Sequence, residues 1–195
     1  EKVHTYYTSN SGLEEMRFEI ANYLNRRFGL EYDHKKEILI TVGGSEAIDL
    51  CTRAFISAGD EVLIPEPSFV CYTPCVQMAG GTPVPLVTVA EEQFKLTPHR
   101  LKAAITPRTK MLVLPYPNNP TGAIMTRGDL EAVAEVLRGT DIIVLADEIY
   151  AELTYGGKHV SIAELDGMQE RTILISGFSK AFAMTGWRLG YACGN

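Results

Sequence analysis

The chain has 195 residues, of which 46% are hydrophobic and 22% charged, the balance of an ordinary globular protein large enough for one well-buried domain. Its 24 acidic residues outnumber the 18 basic ones, and a formal charge of −6 leaves no basic face with which to neutralise nucleic-acid phosphates. No apolar run is long enough to span a bilayer, so a membrane partner is not expected, and the first residues do not read as a signal peptide.

In chain order, Ser9 or Ser11 is expected to cap a first helix, with Glu14 and Glu15 in its opening turn. Met16, Ile20, Leu24 and Phe28 recur at helical spacing, and Gly29 ends the run. Ile38 to Val42 reads as a short strand, followed by Gly43-Gly44 and a helix from Ser45 to Ile56. Glu61 to Ile64 is a strand closed by Pro65 and Pro67. Phe69 to Ala79 is helical in part, with Pro74 in its first turn, and Thr82 to Val87 is extended after Gly80-Gly81. Thr97-Pro98 opens a helix to Ala104 as a cap followed by proline at the first helical position. Met111 to Leu114 is a buried strand, and a turn-rich loop runs from Pro115 to Gly122. Thr126 caps a helix with Leu130, Val133, Ala134 and Leu137 on its apolar face. Ile142 to Ala146 and Thr172 to Ser176 are further strands, and Leu189 to Cys193 closes the series. Short apolar strands alternating with amphipathic helices predict an α/β fold, a mostly parallel sheet sandwiched by helices in one domain.

Cys51, Cys71, Cys75 and Cys193 lack CxxC spacing and have no histidines nearby to complete a metal set, so buried free thiols in a reducing cytosol are expected and no metal site is assigned. His4, His34, His99 and His159 are scattered in polar or loop sequence, where a solvated role is the default.

The chemistry-bearing residues fall at the carboxyl ends of the predicted strands, where open α/β sheets bind ligands. Gly43-Gly44-Ser45-Glu46 is a glycine turn into a helix, whose first amides favour a phosphate. In Tyr116-Pro117-Asn118-Asn119-Pro120-Thr121-Gly122, prolines flank the asparagine pair and stiffen the loop, giving a rigid amide suited to a phenolate-like acceptor. Asp147 ends an apolar strand, where a carboxylate is costly unless it meets a cation such as a protonated pyridine nitrogen. Tyr150 follows three residues later. Lys180 sits just past a strand in a small-residue turn, where an amine can shed its proton and attack a carbonyl. Arg188 offers a fork of donors for a phosphate. An aldehyde carrying a phosphate, as pyridoxal 5′-phosphate does, satisfies both residues at once. Taken singly, each motif also has an ordinary reading: a surface lysine, a common glycine turn, a well-made loop, or a capping aspartate with a packed tyrosine.

Together, Asn-Pro-Thr-Gly at 119–122, Asp-Glu-Ile-Tyr at 147–150 and Ser-Lys at 179–180 with Arg188 resemble the class I/II aminotransferases of the pyridoxal-phosphate-dependent fold-type I superfamily, over essentially the whole chain and in the same order. The resemblance implies that Lys180 is the Schiff-base lysine and that Asp147 pairs with the pyridine nitrogen. Asn119 and Tyr150 would hydrogen-bond the ring oxygen, and Arg188 would hold the phosphate along with the amides of Gly44, Ser45 and Glu46. Phe69 would stack on the ring, although a core phenylalanine is its ordinary reading. Tyr7 would reach the phosphate of a neighbouring subunit in a homodimer. Many relatives carry a phosphate-binding serine three residues before the lysine. That place is Gly177 here, which leaves Ser179 or Ser176 as substitutes. The chain opens at Glu1 and stops at Asn195 after a strand, as expected of a large domain, residues 1–195, cut from a longer protein. The family's N-terminal arm and C-terminal small domain, with its carboxylate-clamping arginine, are not in it, so the isolated fragment is expected to be inactive. The implied activity is cytoplasmic transfer of an amino group between an amino acid and a 2-oxo acid. A carbon–sulfur lyase on the same fold, or a non-catalytic aminotransferase-like domain, are the alternatives.

Overall fold

A computed structural model describes residues 5–195; His4 lies outside them. In chain order its main elements are α1 (Glu14–Phe28), β1 (Ile38–Thr41), α2 (Gly44–Phe55), β2 (Glu61–Glu66), α3 (Tyr72–Met78), β3 (Thr82–Val87), α4 (Pro98–Ala104), β4 (Thr109–Leu114), α5 (Arg127–Leu137), β5 (Ile143–Asp147), β6 (Thr172–Gly177) and β7 (Gly190–Cys193). The strands form one sheet in the order β1-β7-β6-β5-β4-β2-β3. β2 runs parallel to β3 and β4, β4 to β5, and β5 to β6, while β7 is antiparallel to both β1 and β6. That reversal had no counterpart in the sequence reading.

The central strands are continuous apolar runs because both faces of the sheet are covered. Alternate residues go to opposite sides. Leu63, Leu112, Leu114, Val144 and Ala146 pack with Leu101 of α4 and Leu130, Val133, Ala134 and Leu137 of α5. Val62, Ile64, Met111, Val113, Leu145 and Ile175 pack with Ala47 and Ile48 of α2 and with Tyr72, Cys75 and Val76 of α3. Ile20 and Leu24 of α1 close the far end against Ile38, Leu174, Tyr191 and Cys193.

Most local signals act as expected. The Thr126 hydroxyl accepts from Asp129 N–H and the Asp129 side chain returns the bond, a capping box that starts α5. Thr97 accepts from Arg100 N–H at 3.4 Å to start α4. Gly29 ends α1 in the left-handed conformation, φ 70°. Three expectations need correction. Neither Ser9 nor Ser11 caps α1: its N-cap is Leu13, without a side-chain bond, and the Ser11 carbonyl accepts from Ile40 N–H instead. Pro65 does not close β2, which continues to Glu66, because the pairing of β2 with β4 ends at Leu63 and no ladder partner awaits the missing N–H. His159 is not solvated: its side chain is 7% exposed and lies against Glu148. The four cysteines are unpaired, with Cys51, Cys75 and Cys193 buried and Cys71 partly so.

Candidate active site

Because β1, β2, β4, β5 and β6 share one direction, their carboxyl ends open on one edge of the sheet, and β7 starts there. A cavity of about 220 Å³ lies at that edge. Gly44 and Ser45 (after β1), Phe69 (after β2), Asn119 (after β4), Asp147 and Tyr150 (ending β5), Ser179 and Lys180 (after β6) and Arg188 (before β7) all line it. Two of the expected residues are not among its walls. The Glu46 carboxylate turns back to accept from Val42 N–H, holding the strand-to-helix turn. Tyr7 is fully exposed.

Asp147 is buried at the base. Its Oδ2 accepts from the Tyr72 hydroxyl at 2.7 Å and its Oδ1 from Ile149 N–H at 3.2 Å. Burial pushes the carboxyl above its ordinary value, while the Tyr72 and Ile149 donors pull the other way, and neighbouring Glu148 adds a smaller upward push. Burial, then the nearby Asp147 charge, holds the Tyr72 hydroxyl well above the ordinary tyrosine value, so it stays a donor. No cation of the chain pairs with Asp147 among the described residues.

Tyr72 was not foreseen. It stands three residues after Phe69, and the two rings meet edge to face with centroids 6.1 Å apart. Its place three residues after Phe69, at the start of α3, was the available signal. Asn118 and Asn119, indistinguishable in sequence, divide the work of their loop. Asn118 is buried and its Oδ1 accepts from the Thr121 hydroxyl (2.8 Å) and amide (3.2 Å), which builds the turn and leaves Asn119 facing the cavity.

On the opposite wall Gly43, φ 79°, is the N-cap of α2, and no side chain caps the first amides of the helix. Those amides carry the positive end of the helix dipole. The Arg188 guanidinium lies over the same turn: a Cβ at Gly43 would sit 2.5 Å from its Nη2. Arg188 itself adopts φ 52°, an uncommon backbone for a residue with a side chain, and Ala183 in the same loop has φ 53°. Such residues cost about 1–3 kcal/mol each and gather at ligand clamps. The Arg188 Nη1 donates to Thr185 O at 3.0 Å, which fixes the fork.

Backbones are tight here. A Cβ at Gly190 would meet the Gly43 carbonyl carbon at 2.5 Å and Gly44 N at 2.7 Å, and one at Gly177 would meet Gly190 Cα and Leu189 O, each at 2.9 Å. A serine three residues before the lysine therefore has no room. Of the two substitutes, Ser179 lines the cavity, whereas the Ser176 hydroxyl points to the Glu148 carbonyl at 3.4 Å. The Lys180 ammonium stands 5.7 Å from the centre of the Tyr150 ring, side by side with the residue expected to share its ligand.

Comparison with known proteins shows the family and the fold. The family model for aminotransferase class I and II matches residues 2–195. The chain is 52% identical over 192 residues to the Bacillus subtilis (strain 168) protein YugH, covering 98% of this chain and 50% of that one. It is 45% identical over 192 residues to aromatic-amino-acid aminotransferase 2 of Thermococcus litoralis, covering 98% and 49%. The crystal structure of an aromatic aminotransferase from Pyrococcus horikoshii OT3 superposes with a TM-score of 0.95 at 46% identity, covering 98% of this chain and 52% of that one. The chain belongs to the class I and II aminotransferases, and its fold is that of the fold-type I large domain. It spans about half the length of the curated relatives it matches.

Proposed function

We propose that this chain is the cofactor-binding large domain of a pyridoxal-phosphate-dependent aminotransferase, moving an amino group between an amino acid and a 2-oxo acid. The observation that carries the reading is one cavity with a lysine on one wall, a buried carboxylate lacking a cation at its base, and an arginine over an uncapped helix start on the other wall. The fit to the cofactor is chemical. Asp147 lacks the positive partner that a ring N–H⁺ supplies. The α2 amides and the Arg188 fork suit a phosphate dianion, with Ser179 beside them. Asn119 and Tyr150 offer donors for the ring oxygen, and Phe69 offers an aromatic face.

When bound, the cofactor supplies a carbonyl for amines to condense with and a ring that accepts electrons from the substrate's α-carbon. The chain's residues do the rest. The Lys180 amine would be the group that holds the cofactor's carbonyl carbon and, when free, the base and acid that takes a proton from the substrate's α-carbon and gives it to the carbon on the other side of the amino nitrogen. Asp147, steadied by Tyr72 and Ile149 N–H, would face the ring nitrogen and favour its protonated form. Tyr150, close beside Lys180, would offer its hydroxyl to the ring oxygen.

Nothing found favours the carbon–sulfur lyase alternative. The full protein is read as a cytoplasmic homodimer. Four unpaired thiols fit a reducing compartment. Tyr7, fully exposed, fits a role at a neighbouring subunit's phosphate. The test is borohydride reduction of the full-length protein with pyridoxal phosphate, followed by peptide mapping. A pyridoxyl adduct confined to Lys180, and loss of transamination in Lys180→Ala, are expected. Labelling scattered over surface lysines, or normal turnover by Lys180→Ala, removes the proposal.

A further inference from the structure

Glu148 stands between Asp147 and Tyr150 in the chain, yet it lines no part of the cavity. It is buried on the other side of the segment, with 3% of its surface exposed. Its Oε1 accepts from the Ser161 hydroxyl at 2.7 Å, and its Oε2 lies 2.9 Å from His159 Nε2. In this second approach the two atoms meet without completing an aligned hydrogen bond.

The clamp is itself held. Ser161 is fully buried; its hydroxyl accepts from Ala163 N–H at 3.2 Å and its N–H donates to Glu164 Oε1 at 2.8 Å. The His159 ring packs edge to face on Phe28, at the end of α1, with centroids 6.0 Å apart. The main chain of Glu148 is fixed as well, by its N–H to Ile175 O at 2.8 Å and by Ala151 N–H to its carbonyl at 2.9 Å.

A buried carboxylate is tolerated only while its partners stay in place. Glu148 directly follows the last residue of β5 and opens the turn that Ala151 N–H closes on its carbonyl, so seating its side chain in the clamp also sets the directions of Asp147 before it and Tyr150 in the turn after it. We infer that Glu148, gripped by His159 and Ser161 behind the site, is a positioning residue that fixes the rotation of segment 147–150 and so holds Asp147 and Tyr150 toward the ligand in the cavity. The inference rests on reading that cavity as a pyridoxal phosphate site. Glu148 touches no ligand; it acts through its neighbours. Nothing in the sequence pointed to this, since His159 reads as a loop histidine and Glu148 as one letter of a motif.

The experiment is a double-mutant cycle in the full-length protein, with pyridoxal phosphate affinity of the apoprotein measured by equilibrium dialysis and apoprotein unfolding measured alongside. Glu148→Gln keeps the shape but removes the charge. It is expected to weaken cofactor binding by about 10–100-fold, as loss of a supporting partner does at other bound centres. Glu148→Gln is expected to cost clearly less affinity in the Asp147→Asn background than in wild type, because the carboxylate through which it mainly acts is already gone. A purely structural role predicts the opposite, a loss of affinity that adds in full to that of Asp147→Asn. Additivity, or wild-type affinity in Glu148→Gln, overturns the inference. If Glu148→Gln does not fold, Ser161→Ala, which removes one donor, is read in the same cycle by the same two outcomes. If wild-type protein fails to bind the cofactor, the functional reading falls and takes this one with it. Binding by wild type with an unimpaired Glu148→Gln removes this inference alone.

Discussion

Gly190→Ala tests how the phosphate end of the cavity is built. A methyl at this position meets three backbone atoms, the Gly43 carbonyl carbon at 2.5 Å, Gly44 N at 2.7 Å and Gly43 Cα at 2.9 Å. Carbon atoms in contact rest at about 3.5–4.0 Å, so the shortfall is about 1 Å, and no side chain is available to rotate out of the way. Gly190 is held on both sides, opposite Thr41 of β1 and Gly177 of β6, so the part that yields is the Gly43–Gly44 turn at the head of α2. Overpacking of this kind costs about 1–3 kcal/mol of stability, and about 1 Å of misplacement at a site costs about 100-fold in rate. The shift moves the α2 amides relative to Arg188, leaving Asp147 and Lys180 where they were. The full-length variant is therefore expected to lose at least about 10-fold in affinity for pyridoxal phosphate, about 1.4 kcal/mol, while its affinity for unphosphorylated pyridoxal is unchanged. Equilibrium dialysis with the two ligands reads the difference. Equal losses for both ligands, or none for either, would refute the argument that this glycine sets the phosphate wall.

Asp147→Asn is expected to change how apoprotein stability depends on pH. The folded carboxyl titrates above its unfolded value of about 3.9, so the folded state binds more protons through that window and wild-type stability falls as pH rises across it. The variant's urea midpoint should lack that decline and exceed wild type at neutral pH; a parallel decline in both proteins counts against the burial account. Tyr72→Phe removes a hydroxyl donor to a carboxylate, a bond of about 1.5–3 kcal/mol, and is expected to weaken cofactor binding by about 10–100-fold in dialysis. Unchanged binding would mean that Ile149 N–H alone holds Asp147. Thr126→Ala breaks the capping box of α5 and should cost about 0.5–2 kcal/mol in urea unfolding, with cofactor affinity unaltered.

What was legible in the sequence was what sits at strand ends. Asp147, Lys180 and the Gly43-Gly44 turn each follow a short apolar run, and the run announces both the element and the edge that carries the cavity. Thr97-Pro98 and the Thr126 box were equally plain, since caps act within a few residues. The missed features depend on pairings distant in the chain. Tyr72 meets Asp147 across 75 positions, and His159 meets Glu148 only because the intervening loop folds back beneath the site. Pro65 looked like a terminator because the end of the pairing with β4 at Leu63 is a property of the sheet. The direction of β7 was hidden for the same reason: four residues, Gly190 to Cys193, read alike in either sense. The glycine at its start was the overlooked signal, as a glycine opening a strand often marks close backbone approach.

The late return of β7 has a consequence for synthesis. This strand fills the gap between β1 and β6, joining residues 38–41 to residues 190–193 from the opposite end of the chain. Contacts of such long sequence separation form last and slowly. On the ribosome, the Gly43 turn emerges early and waits, since the arginine that covers it lies just ahead of the final strand. A nascent chain thus acquires Asn119, Asp147 and Lys180 one after another but lacks the Arg188 wall of the cavity until β7 has slotted in. If the cavity holds a phosphate as proposed, that group meets its full set of partners only once β7 has paired with β1 and β6.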